Sequence, residues 1–148
     1  MARRDVIVVD QVAMRQIQRR MAALPGRVNI KVLGQATSAA TTPVLKSAKQ
    51  KAPVETGLLK KSLGKKLKKY KRNAVAVCIV GPRSGFKDEG TGRNPANYAH
   101  LVELGTTHSA PKPFLRPALD ENKSKIISKF ESKMRSGIER ETQKLARS

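Results

Sequence analysis

The sequence predicts an α+β fold, a small antiparallel sheet packed by a kinked N-terminal helix and a long C-terminal helix. Three observations lead there. Apolar residues recur at steps of three and four from Val28 to Ala52 and again from Leu119 to Leu145, the spacing of helical faces. Pro43 interrupts the first of these patterns. Between them, Lys65–Lys71 and Ala74–Gly81 read as paired strands across an Arg72-Asn73 turn. At 148 residues the chain has the length of one domain, so residues 1–148 are expected to form a single domain, with 1–25 as an arm and short helix and 26–146 as the core.

The elements follow in order. Val6–Val9 is β-prone, as a short strand or an arm. Residues 10–23 form an amphipathic helix with Val12, Met14, Ile17 and Met21 near one face, stopped by Pro25-Gly26. The Val28–Ala52 helix either kinks at Pro43 or breaks and restarts with Thr42 as cap and Pro43 at the first helical position. Ala52-Pro53 ends it, because a residue before proline is driven out of the α region. Thr56-Gly57 is a turn, and Leu58–Leu63 a short helical or extended link. Val75, Val77 and Ile79 alternate with Ala76, Cys78 and Val80, apolar on both faces, which predicts a strand covered on both sides. Residues 82–97, rich in Gly, Pro and Asn, form a long loop. Tyr98–Leu104 is a short helix capped by Gly105, and Pro113-Phe114-Leu115 a short strand or docking segment with Phe114 as an anchor. The last helix runs from Pro117 to Ala146, with Leu119, Ile126, Ile127, Phe130, Met134, Ile138 and Leu145 as its stripe. Glu139 and Glu141 with Arg135 and Lys144 support it at helical spacing, and Gly137 weakens it locally.

Trp is absent and only two Tyr and three Phe are present, so the core is aliphatic. The apolar runs are too short to span a bilayer, and no secretion signal is read at the basic N-terminus. A single cysteine excludes a disulfide framework; Cys78, in an apolar run, reads as a buried thiol. The net charge is +20, and half of it falls between Lys46 and Arg72, where eleven Lys or Arg accompany one acid, Glu55. Lys60, Lys61, Lys65, Lys66, Lys68, Lys69, Lys71 and Arg72 form the dense part of this basic patch. Such a run attracts polyanions, either nucleic acid or an acidic protein surface. It lacks a set of interleaved aromatic residues for base stacking, Tyr70 being its single one.

No pattern points to catalysis or a cofactor. Gly81-Pro82-Arg83-Ser84-Gly85 and Gly90-Thr91-Gly92 lack the Gly-Lys-Ser/Thr ending of a phosphate loop. His100 and His108 are the only histidines, and with Cys78 they make a poor zinc set, so no metal is expected. Glu103 has the chemistry of a general base but no partner nucleophile at a telling spacing; a bond to a neighbouring segment or subunit fits it better.

Three blocks have the character of junctions, each a helix end, a turn and a new element: Ala52-Pro53-Val54-Glu55-Thr56-Gly57-Leu58-Leu59-Lys60-Lys61-Ser62-Leu63, then Tyr98-Ala99-His100-Leu101-Val102-Glu103-Leu104-Gly105-Thr106, then Ala110-Pro111-Lys112-Pro113-Phe114-Leu115-Arg116-Pro117-Ala118-Leu119. In this order, with a hairpin ending Val80-Gly81-Pro82 between the first two, the chain over roughly residues 28–140 resembles the tail-completion, or head–tail joining, proteins of long-tailed bacteriophages, similar to the lambda minor tail protein Z group. The matching positions are Pro53, Thr56, Gly57, Leu59 and Ser62 in the first block. Tyr98, Glu103, Gly105 and Thr106 match in the second, and Pro113, Phe114, Arg116, Pro117 and Ala118 in the third. The resemblance implies architectural roles for these residues and no enzyme activity or cofactor. It also implies a homo-oligomeric ring at the tail–neck junction of the virion, assembled in the bacterial host cytoplasm. The partners would be other neck and tail proteins (tail terminator, connector or stopper ring), with genomic DNA as a further contact and no membrane. Pro43 and the heavy basic run depart from the family pattern, and the basic run is expected to meet an acidic ring surface in preference to DNA.

Overall fold

The computed structural model describes residues 10–55 and 57–148. The β-prone Val6–Val9 and most of the expected N-terminal arm therefore lie outside the described residues, as does Thr56. The chain divides into two compact units, one holding residues 10–40, Lys68–Val77 and Lys123–Ser148, the other Thr41–Leu67 and Cys78–Asn122.

In the first unit, helix α1 (Gln11–Ala22) begins where the Asp10 carboxylate accepts from the N–H groups of Val12 and Ala13, at 2.9 and 3.3 Å. Its buried face is Ala13 and Ile17, whereas Val12 points to solvent. Helix α2 (Gly26–Ala40) packs on α7 (Lys123–Arg147), and α1 packs on α7 as well. Ile17, Leu24, Val32, Ala36, Met134 and Ile138 make the core of this unit. Gly137 has a positive role here: a Cβ at that position would come within 2.7 Å of Val32 Cγ1, so the glycine lets α2 and α7 approach closely. Glu141 is buried on α7 and accepts from Lys31 at 3.3 Å and Lys144 at 3.5 Å. Burial pushes its carboxyl up, and the two lysines outweigh that and hold it below its ordinary value.

In the second unit, α3 (Thr42–Lys51) restarts the interrupted helix. Of the two expected outcomes at Pro43, the break is the one found, with Thr41 rather than Thr42 at the cap and Pro43 at the second helical position rather than the first, still within the turn where a missing N–H costs nothing. Ala52 leaves the helix at φ −60°, ψ 132°, as the following proline requires. Helix α4 (Leu58–Ser62) follows, with Leu58, Leu59 and Ser62 buried. The third block does not form a strand: α6 (Leu115–Glu121) starts at its centre and packs on α3, with Ala118 and Ala48 wholly buried. The expected helix from Pro117 to Ala146 is interrupted at Asn122, which is buried and turns its amide back to the Ala118 carbonyl at 2.8 Å. A side chain that competes for a helical carbonyl ends α6 without any proline or glycine.

β1 (Leu63–Tyr70) and β2 (Val75–Pro82) form a two-stranded antiparallel sheet. The strands have equal lengths, and just past them Arg83 N–H donates to the Ser62 carbonyl at 2.9 Å. This register sets Tyr70 opposite Val75 and Lys68 opposite Val77. The connection is four residues long, and Ala74 adopts φ 49°, a conformation that L-residues other than Asn and Asp rarely take. One correction is substantial. The strand expected to be covered on both sides has Val75, Val77 and Ile79 exposed, while Ala76, Cys78 and Val80 are half-buried. Among the described residues, helices cover one face only: Lys69 lies over Gly34 of α2, and Thr41 Oγ1 donates to Cys78 Sγ at 3.0 Å.

Candidate functional site

The second unit brings the three sequence blocks together. α3 ends, the chain passes Pro53, and Gly57 turns it at φ 66° into α4. Ser62 closes α4 by donating to the Leu59 carbonyl at 2.7 Å. Arg83, which the sequence did not single out, staples this corner: its guanidinium donates to the carbonyls of Lys61 at 3.1 Å and Ser62 at 3.3 Å. Its stem passes over Gly64, where a Cβ would come within 2.9 Å. No local pattern marks an arginine just beyond a strand as the partner of a helix end.

After the 82–97 loop, the chain makes a short 3-10 turn over Pro95–Asn97 and enters α5 (Ala99–Leu104). The loop is tied to itself by Asp88, which accepts from Thr91 Oγ1 at 2.7 Å and Thr91 N–H at 3.1 Å. Half-buried Tyr98 opens α5, and its hydroxyl is shifted up, chiefly by burial. Gly105 ends α5 at φ 78°, ψ 175° and donates to the Leu101 carbonyl at 2.8 Å. Thr106 then makes a tight turn, its hydroxyl accepting from His108 N–H at 3.2 Å and Ser109 N–H at 3.0 Å.

Glu103 is the centre of the arrangement. Its carboxylate accepts from the N–H groups of Phe114 at 2.7 Å, Leu115 at 3.0 Å and Arg116 at 2.9 Å. It therefore caps the start of α6 from a different helix. The weighed role as a general base gives way to the bond with a neighbouring segment. Beside it, Lys112 N–H donates to the Val102 carbonyl at 2.8 Å, and the Lys112 ammonium meets Glu55 at 2.9 Å. Phe114 is fully buried, while Pro113 and Arg116 are exposed on either side.

Partial burial pushes the Glu103 carboxyl up; the three N–H bonds, with the Arg116 charge, outweigh it and hold the group below its ordinary 4.5. The cap is thus complete above that value and is lost as pH falls through the lowered pKa of the folded state. Glu103→Ala is expected to cost about 2 kcal/mol, since three helix-end donors lose their partner. Glu103→Gln is expected to flatten part of the acid-side fall in stability. Urea titrations of both variants between neutral and acid pH check these outcomes.

A cleft of about 200 Å³ lies where the blocks meet, lined by Pro53, Glu55, Tyr98, Leu101, Thr106 and Lys112, among others. It gathers one or more residues of each block around an apolar floor with an ion pair at its edge. The basic residues behave differently. Lys60 and Lys61 are exposed on α4; Lys66 and Lys68 fall on one face of β1, Lys65 and Lys69 on the other. Lys71 and Arg72 are exposed in the hairpin turn. Among the described residues, no group of three His, Cys, Asp or Glu is placed to hold a metal, and no helix is long and apolar enough to cross a membrane.

Residues 15–105 match the HK97-gp10-like family model, described as "Bacteriophage HK97-gp10, putative tail-component". The match contains the first block and the second as far as Gly105, and ends before Thr106, the third block and α7. No curated protein and no solved structure matches the chain. With more than half of its length matched, the chain belongs to the HK97-gp10-like family of bacteriophage tail components.

Proposed function

We propose that the chain is a structural protein of the head–tail interface, which joins or completes the tail at the neck as a homo-oligomeric ring and acts as one domain-sized subunit. The observation that carries this reading is the family match over residues 15–105, which includes the first junction block and the second as far as Gly105, with their glycine turns. The order of all three blocks, similar to that in the lambda minor tail protein Z group, supports the neck over the rest of the tail. The cap that Glu103 places on α6 supports a structural role, since this acid, the one with the most suggestive placement, has both oxygens bonded to backbone groups. The neighbours would be the tail terminator and the connector or stopper ring.

A host infected with phage carrying a nonsense mutation in this gene is expected to accumulate filled heads and separate tails, as seen by electron microscopy of the lysate. Normal yields of joined, infectious particles would contradict the reading.

A second reading, a nucleic-acid-binding protein acting through Lys46–Arg72, has one observation in its favour: no acid occurs between Glu55 and Asp88. Tight binding of the purified protein to duplex DNA, with a steep loss on added salt, would support it.

A further inference from the structure

The distal end of the hairpin, residues 68–77 of the first unit, presents an outward face that stays exposed among the described residues. Tyr70, Val75 and Val77 are 50 %, 43 % and 40 % exposed, and the register puts all three on one face with Lys68. Lys71 and Arg72 border them in the turn. Among the described residues, Lys68, Lys71 and Arg72 enter no ion pair. The opposite face is committed to the fold, with Lys69 over Gly34. Two β-branched residues facing water across from Lys and Tyr make an apolar centre with a cationic rim.

We infer that this hairpin end docks on another protein of the virion, at a surface with an apolar centre bordered by carboxylates. The inference rests on the neck or tail reading for the partner's location, and on the hairpin for its chemistry. Charge complementarity selects an acidic partner, because the hairpin supplies only cations around its apolar centre. A second copy of this chain fits poorly. The chain has net charge +20, and its carboxylates at Glu55, Asp88, Glu103, Glu121 and Glu141 are engaged by its own groups. Nucleic acid would use Lys68, Lys71 and Arg72 but offers its phosphates nothing to cover Val75 and Val77. Burial of those two side chains is what a protein surface adds.

The test uses tails and filled heads purified from a lysate lacking this protein, with the full-length chain added back. Two variants change exposed residues only, V75S/V77S and K68Q/K71Q/R72Q, and thermal melts confirm that each folds. Sedimentation with the heads or tails is expected to be about tenfold weaker or worse for V75S/V77S at every salt concentration. The K68Q/K71Q/R72Q variant should be weakened most at low salt. Wild-type protein that sediments with neither particle overturns the virion reading itself, and this inference with it. Wild-type and V75S/V77S proteins that sediment equally overturn the inference alone. So does a loss confined to K68Q/K71Q/R72Q together with competition by duplex DNA, the result expected of a nucleic-acid contact.

Discussion

Phe114→Ala is expected to cost about 3–5 kcal/mol, the largest loss of any single truncation in the chain. Phe114 is fully buried and is one of only three phenylalanines in a protein without tryptophan, so few other side chains can fill the space it leaves. It sits at the cap position of α6, between the Glu103 bonds and the buried Ala118. The backbone N–H that Glu103 accepts survives the substitution, so the measured loss reports packing and not capping. Thermal unfolding is expected to shift down by roughly 10 °C. Phe114→Leu, which keeps most of the volume, should lose about 1.5 kcal/mol or less. Equal melting of the alanine variant and the wild type would show that the third block does not hold the junction of the three blocks together.

Gly105→Ala is the second large effect, expected at about 3 kcal/mol or more. Two costs combine. At φ 78°, ψ 175° the backbone occupies a region that L-residues reach only with strain of about 1–3 kcal/mol. A Cβ there would also lie 2.8 Å from the Pro111 nitrogen and 3.0 Å from the Ser109 carbonyl oxygen, and backbone atoms cannot swing aside as a flexible side chain does. The overlap adds about 1–3 kcal/mol. Relief would require moving Ala110–Lys112, the stretch that carries the Lys112–Val102 bond and the ion pair to Glu55. The expected phenotype is a lowered unfolding midpoint with loss of tail joining at raised temperature. Gly57→Ala, at φ 66° with open space around the Cβ, should cost less, since it carries the strain without the collision.

These two positions show what is legible in a sequence. Glycines that terminate helices, a proline that forbids the preceding residue from being helical, and an apolar residue between prolines all act through local backbone chemistry. The breaks at Thr41–Pro43, Ala52, Gly57 and Gly105 were therefore predictable, all four to within a residue. The union of the three blocks was not, because it depends on long-range bonds: Glu103 to residues 114–116, Lys112 to Glu55, Arg83 to Ser62. Asn122 was missed because its helix-ending role comes from a side-chain bond to Ala118 that helical spacing conceals. β2 misled for a different reason. Its apolar residues on both faces imply cover on both faces, and the described residues supply it on one. The residues left over, Val75 and Val77, are those that the proposed docking on a virion partner would bury.

The central claim, that this tail component joins tails to filled heads, is tested most directly by reconstitution. Purified protein would be mixed with heads and tails from the mutant lysate, and infectious particles counted. The account predicts infectivity that rises with added wild-type protein and stays at background with the Gly105→Ala variant above its unfolding temperature. Heads and tails that join without the protein, or that remain separate when folded protein is supplied, would contradict it.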